Sequence, residues 1–295
     1  MILDKLWVQL AILTFLGFIW GTSFILMKIG LMSFSNEQVG ALRILFASLA
    51  LLPWALKYLK DIRRKDIIPL LVVGLIGSFL PAFLFTKAQT KIDSAVAGML
   101  NSLTPVFALL VGILFYKLRF KWWQYSGVFI GLIGALGLIS SGKSLDLSQI
   151  NNYAFFIILA TLCYGISVNV LKAHLQHLTG RQTSSISFFF LLPLATAYLL
   201  TMNFTQALQT QDWLLHLGAI ALLGVVGSAF ALFIMYSLVR HVTPVFATST
   251  TYIIPIFAIM WGVIAGESIT FLHIISILVI LTGVWLTNWN KPIKK

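Results

Sequence analysis

Long apolar runs alternate with short polar breaks along the whole chain, and within each run the apolar residues are continuous. The runs cover 7–28, 38–56, 67–86, 94–115 and 122–140, then 153–171, 184–201, 214–239, 244–265 and 271–289. Each is close to the ~20 residues a helix needs to cross the hydrocarbon core of a bilayer. A β-barrel wall would instead alternate apolar and polar positions. The pattern predicts an all-α integral membrane protein of ten transmembrane helices. The first run is too long for a cleaved signal peptide and its motif recurs in mid-chain, so it reads as a retained helix.

Composition closes off the soluble alternatives. The 295 residues are 59% hydrophobic and 9% charged, where a soluble domain carries roughly 25% charged residues. Net charge is +12, and its placement follows the rule that Lys and Arg gather in cytoplasmic loops. With a cytoplasmic N-terminus, fifteen of these residues fall on the inner side: Lys5, the cluster Lys57, Lys60, Arg63, Arg64 and Lys65, then Lys117, Arg119, Lys121, Lys172, Arg181, Arg240, Lys291, Lys294 and Lys295. The outer side holds Lys87, Lys91 and Lys143, with Lys28 near the boundary. Both termini are therefore expected in the cytoplasm, the lipid bilayer is the partner that explains the charge, and no nucleic acid is needed. The lone Cys163 sits in an apolar run and reads as a packing residue, with no disulfide.

The chain also repeats itself. At a shift of 150, Gly74, Gly77, Ser78 and Phe83 meet Gly224, Gly227, Ser228 and Phe233, and Pro105, Phe107, Ala108 and Gly112 meet Pro255, Phe257, Ala258 and Gly262. A shift of 140 sets Leu51, Leu52, Pro53 and Ala55 on Leu191, Leu192, Pro193 and Ala195; a shift of 144 sets Trp20, Gly21, Ser23 and Lys28 on Tyr164, Gly165, Ser167 and Lys172. Two five-helix repeats follow, over 1–142 and 152–295. Because five is odd, the second must start on the opposite face of the membrane. Inverted repeats are a recurring architecture of secondary transporters, since two like halves can exchange conformations and so turn an inward cavity outward.

Polar residues deep in a span usually face the bundle interior. Asn101, Ser102 and Thr104 precede Pro105, and Thr248 to Tyr252 precede Pro255. A proline frees the carbonyl one turn earlier, so Pro105 and Pro255 are expected as hinges beside locally opened backbone. Trp20 and Tyr164 occupy equivalent depths and can stack on a solute. The expected substrate-binding set is Trp20, Ser23, Arg43, Ser78, Asn101, Tyr164, Asn169, Ser228, Thr251 and Tyr252. Arg43 lies early in the second span, where it can snorkel outward, hold a buried partner or meet a substrate carboxylate. Gly266-Glu267 is expected to shape the turn into the last span. Trp7, Trp122, Trp123, Trp285 and Trp289 lie at span ends and read as interfacial belts.

The eight acidic residues (Asp4, Glu37, Asp61, Asp66, Asp93, Asp146, Asp212 and Glu267) fall at span ends or in loops, as do the five histidines. Without a mid-depth carboxylate, proton relay and selective binding of bare cations are poorly served. A neutral, zwitterionic or weakly anionic solute moving down its gradient fits better. There is no intramembrane catalytic pair, no metal-ligating cluster and no P-loop, so neither enzyme activity, cofactor nor metal is expected.

The residues Trp20-Gly21-Thr22-Ser23, Leu42-Arg43, Leu103-Thr104-Pro105, Pro255 and Gly266-Glu267, with the glycine-spaced last span of each half, resemble the drug/metabolite transporter superfamily, specifically its EamA-type ten-helix permeases. The resemblance extends over nearly the full length. It implies a bacterial inner-membrane exporter of metabolites, often amino acids or related solutes, with a cavity between the repeats. This chain departs from the family pattern after the fourth span, where Tyr116-Lys117 replaces a usual acidic residue. The expected function is secondary transport of a small-molecule substrate by alternating access, as a monomer or weak homodimer. The alternatives are a multidrug or quaternary-cation exporter and a non-transporting scaffold or sensor.

Overall fold

The computed structural model describes residues 5–118, 121–140, 152–267 and 269–288. Arg119, Lys143, Lys291, Lys294, Lys295, Asp4, Asp146 and Trp289, invoked above, lie outside them. All regular secondary structure among the described residues is helical. In chain order the long helices are α1 (Leu6–Gly30), α2 (Asn36–Asp61), α3 (Arg64–Gln89), α4 (Ser94–Tyr116), α5 (Trp122–Ser140), α6 (Tyr153–His174), α7 (Gly180–Leu200), α8 (Trp213–Val239), α9 (Pro244–Ile264) and α10 (Phe271–Asn288). Eight of them, all but α5 and α10, are long and apolar enough to cross a membrane, at 21 to 27 residues each. At 1.5 Å per residue they span about 31–40 Å, enough for the ~30 Å hydrocarbon core.

Large apolar side chains such as Phe15, Leu114, Phe115, Leu200 and Ile264 are exposed on the outside of the bundle. That arrangement suits lipid as the surrounding solvent. The protein is a multi-pass membrane protein.

Several helices begin earlier than the apolar runs do, because their first turns are polar and capped. Ser35 and Gln38 form a reciprocal capping box at the start of α2: Gln38 N donates to Ser35 Oγ at 3.2 Å and Ser35 N to Gln38 Oε1 at 2.9 Å. Thr179 and Gln182, at a shift of 144, do the same for α7. Each box satisfies two amides that the helix itself cannot, so the helix starts in sequence that a hydropathy window passes over.

Two kinds of irregularity recur at repeat-related positions. Leu75–Phe79 of α3 and Leu223–Phe230 of α8 are π-helical, a geometry that concentrates at functional sites. Asn101–Leu103 of α4 and Ser249–Tyr252 of α9 tighten into 3-10 turns just before Pro105 and Pro255. The carbonyls these prolines leave free are satisfied by hydroxyls. Asn101 O accepts from Thr104 Oγ1 at 2.8 Å, and Thr251 O accepts from Ser102 Oγ at 2.9 Å.

Packing between the halves is reciprocal. Gly227 of α8 lies against Ser23 of α1, and Gly77 of α3 against Ser167 of α6. A Cβ on Gly21 would sit 2.6 Å from Phe257 Cβ; one on Gly165 would sit 2.8 Å from Ala108 N. Asp66 pairs with His177, and at the matching positions His216 bonds to Ser33. The repeat-related helices α2 and α7 lie side by side and antiparallel. Gln38 Nε2 of α2 donates to Asn203 O just beyond the end of α7, while Gln182 Nε2 at the start of α7 donates to Asp61 Oδ2 at the end of α2.

Candidate functional site

A cavity opens where the halves meet, enclosing about 930 Å³ of space free of atoms, its mouth included. Its walls are two matching stripes and what faces them. Trp20, Ser23, Phe24 and Met27 of α1 line one side, and Tyr164, Ser167, Val168 and Leu171 of α6 line another. Both stripes follow i, i+3, i+4, i+7, the spacing of one helix face, and correspond residue for residue at a shift of 144. The π-helical stretches bring Gly77-Ser78 and Gly227-Ser228 to the same space, and the 3-10 breaks bring Asn101 and Thr251.

Most of the lining is apolar, with aromatic walls. Phe85 and Tyr164 stack with ring centroids 6.0 Å apart, and Phe24 meets Phe85 edge-on at 5.7 Å. Trp20 is held in place by its indole, whose Nε1 donates to Gly227 O at 2.9 Å. That carbonyl lies in a π-helical stretch, where the regular i→i−4 ladder is interrupted. Tyr236 lines the cavity together with Ser78 and Ser167. Among the described residues of the lining, Arg43 is the one that is charged. Its Nε donates to Ser228 Oγ at 2.8 Å, and Ser228 in turn donates to Leu223 O at 3.5 Å. The Arg43 Nη1 rests 3.9 Å from Met27 Sδ. Among the described residues no acidic side chain lines the cavity.

Eight of the expected residues, Trp20, Ser23, Arg43, Ser78, Asn101, Tyr164, Ser228 and Thr251, meet at this cavity. Asn169 and Tyr252 do not line it. Asn169 Nδ2 donates to Ala108 O and Gly165 O, both at 2.8 Å, tying α6 to α4. Tyr252 packs with Ala95, Met99, Ile277 and Ile280. Helical phase explains both: Asn169 is two residues past Ser167, about 200° around the helix, and Tyr252 follows Thr251 by about 100–120°. Pro105 and Pro255 stand directly after the two backbone breaks.

Sequence reasoning did not single out Tyr236, Phe85 or Met27. A signal for Tyr236 was present, since Ser228, Leu232, Met235, Tyr236 and Val239 follow the spacing of one face.

Glu267 has a further role beyond shaping its turn. It follows Gly266, whose φ of +78° is easy only for glycine. Its side chain, 3% exposed, accepts from Lys28 Nζ at 2.7 Å and from the first amides of α4, Ser94 N at 3.0 Å and Ala95 N at 3.1 Å. Burial alone would raise the Glu267 carboxyl, but the Lys28 ammonium and the Ala95 and Ser94 amides outweigh it and hold the group below the ordinary glutamate range. Asp93 Oδ1 stands 3.5 Å from the same Lys28.

Known proteins resemble the chain along its length. It is 27% identical over 279 residues to the uncharacterized inner membrane transporter YedA of Escherichia coli K12, covering 92% of this chain and 88% of that protein. It is 26% identical over 264 residues to the uncharacterized transporter YetK of Bacillus subtilis, covering 85% and 77% respectively. A solved crystal structure superposes with a TM-score of 0.65 at 14% identity over 94% of this chain and 95% of that one, which shows a common fold. The protein is a membrane transporter, and the chain, matched over residues 6–140 and 151–289, belongs to the EamA-like transporter family.

Proposed function

We propose that the protein is a secondary transporter that exports small metabolites, such as amino acids or related solutes, by alternating access between two inverted five-helix halves. The observation that carries this reading is the cavity at the junction of the halves, bounded by matching stripes on α1 and α6. The antiparallel pairing of α2 with α7 supports the inversion, as do the reciprocal contacts of Gly77 with Ser167 and Gly227 with Ser23.

The ten-span count is supported by α5 and α10, of 19 and 18 residues, which close on each other through glycines. A Cβ on Gly283 would sit 2.5 Å from Gly127 O, and one on Gly134 2.8 Å from Ile280 N. The basic clusters lie at one end of the bundle. The Gln182–Asp61 and Arg240–Gln176 hydrogen bonds and the Asp66–His177 pair gather residues 57–66, 172–182 and 240 there. By the Lys/Arg rule that end is cytoplasmic, together with both termini, in a bacterial inner membrane. The transporter acts as a monomer or weak homodimer.

Single cysteines in a Cys163→Ser background test the mechanism. A Ser228→Cys variant should react with a membrane-impermeant thiol reagent added from either face. Labelling from one face under every condition would reject alternation and favour a static scaffold. Glycosylation or protease mapping that put the two termini on different faces would reject the inverted arrangement.

A further inference from the structure

Arg43 is an unusual residue to bury. It is 9% exposed, and a guanidinium keeps its proton in a protein. Removing such a charge from water costs several kcal/mol unless a counter-charge and hydrogen bonds compensate. Among the described residues no carboxylate pairs with it; Asp93 and Glu267 pair with Lys28, Asp66 pairs with Arg63 and His177, and Asp61 accepts from Gln182. Ser228 occupies Nε, and Ser228 is itself oriented by donating to Leu223 O, so its oxygen is left to accept. The ion is thus held at Nε by Ser228, its Nη1 rests 3.9 Å from Met27 Sδ, and it lines a cavity whose walls supply no anion among the described residues.

We propose that Arg43 is the carboxylate-binding residue of the transport site, and that the substrate is a small monocarboxylate with an aromatic or branched apolar body. This deepens the transporter reading and rests on it. A carboxylate presents two oxygens in one plane, which match the two Nη donors of a guanidinium side by side. A phosphate dianion would need a second cation, and Arg43 is the one charged residue among the described lining. The apolar body has a matching surface in Trp20, Phe24, Phe85 and Tyr164, whose rings form the adjoining wall. A permanently cationic solute would be repelled by Arg43, with no opposing acid among the described lining residues. The same repulsion disfavours the multidrug or quaternary-cation alternative.

Three probes of one shape separate charge from size: 3-phenylpropionate, 3-phenylpropionamide and 3-phenylpropylammonium. Each is titrated against the full chain in lipid nanodiscs, with thermal stabilisation as the readout. The acid should stabilise the wild-type protein with an apparent affinity about ten-fold or more tighter than the amide, and the ammonium should be the weakest. Arg43→Gln should bring the acid to the level of the amide, while Arg43→Lys, which keeps the charge and loses the fork, should retain part of the preference. The acid–amide ratio in the wild type decides the matter even if Arg43→Gln fails to fold.

An amide or ammonium that binds as well as the acid overturns the assignment, and so does the absence of stabilisation by all three up to about 10 mM. Flux of the same probes into proteoliposomes is scored separately. Acid-selective binding without flux would reject transport and leave Arg43 as a carboxylate site. Flux of the amide or ammonium ahead of the acid would leave transport standing and remove the carboxylate.

Discussion

The two ends of the bundle are built from equivalent residues but are fastened differently. Lys28 closes α1 and Lys172 closes α6, at a shift of 144. Lys28 meets Glu267 and Asp93, and Glu267 also holds the first amides of α4. One carboxylate therefore joins α1, α4 and the turn after α9, elements of both halves. Lys172 meets no such acid among the described residues; its Nζ donates to Val239 O at 3.1 Å and Arg240 O at 3.2 Å, at and just beyond the end of α8. The start of α9 is capped by its own Thr243, whose Oγ1 accepts from Phe246 N. Ion pairs at that end lie elsewhere, where Asp66 meets Arg63 and His177. Two like halves thus carry unlike clasps, so under the alternating access proposed above the two exchanged conformations would differ in energy. On that proposal, the end held by Glu267 should resist opening more than its counterpart.

Removing the Glu267 carboxylate should break this asymmetry most. Glu267→Ala leaves Lys28 with only the looser Asp93 contact and strands the amides of Ser94 and Ala95. The expected loss is about 3 kcal/mol, at the low end for breaking a buried pair because Lys28 is partly exposed. A melting temperature in nanodiscs measures it. Accessibility of a cavity cysteine from the Glu267 end should rise in parallel. An unchanged melt and unchanged labelling would mean that the clasp carries no energy.

A smaller effect is expected from pH. The Glu267 carboxyl titrates below its ordinary range in the folded protein, so its contribution is complete above that range, about 4.3. It is lost as pH falls through the lowered value. Glu267→Gln keeps an oxygen for the amides and loses the charge, which should cost about 1–2 kcal/mol at neutral pH. The gap between the wild-type and Glu267→Gln melts should close on acidification. A gap that stayed constant would assign the stabilisation to shape and not to charge.

What could be read in advance follows the same division between backbone and side chain. Apolar runs marked every long helix, and repeated glycines and prolines marked the matching packing, because close approach and missing amides need particular residue types. Trp20, Tyr164, Asn101 and Thr251 could be placed at the cavity by depth and repeat position. Asn169 and Tyr252 were misplaced because depth says nothing about which way a side chain points. The 3-10 turn before Pro255 also shifts the helical phase. The reach of Glu267 to Ser94 and Ala95 spans more than 170 residues, and a side-chain-to-amide contact at that separation leaves no spacing to detect. Such clasps become visible only when the ends are folded together.

Relief of backbone strain should have a smaller effect again. Lys117 has φ +53°, where a side chain costs about 1 kcal/mol and glycine does not. Lys117→Gly should raise stability by no more than that, because glycine also loosens the unfolded chain. It would give the first half the same turn chemistry that Gly266 gives the second. A destabilised melt would show that the Lys117 side chain, and not its backbone, holds the turn.

The least effect, and the most discriminating, should come from supplying the missing acid. A shift of 150 aligns Glu267 with Lys117, but the backbone points one residue further. Glu267 follows the left-handed Gly266 and its N donates to Gly262 O, whereas Leu118 follows the left-handed Lys117 and its N donates to Gly112 O. The counterpart of Glu267 is therefore Leu118, which is 41% exposed. Leu118→Glu should offer Lys172 a carboxylate worth up to about 1 kcal/mol in so wet a position, and should reduce labelling of a cavity cysteine from the Lys172 end. Lys117→Glu keeps the same strained backbone but directs the acid elsewhere, and should leave labelling unchanged. If the two variants behaved alike, general electrostatics and not a positioned clasp would set the difference between the ends.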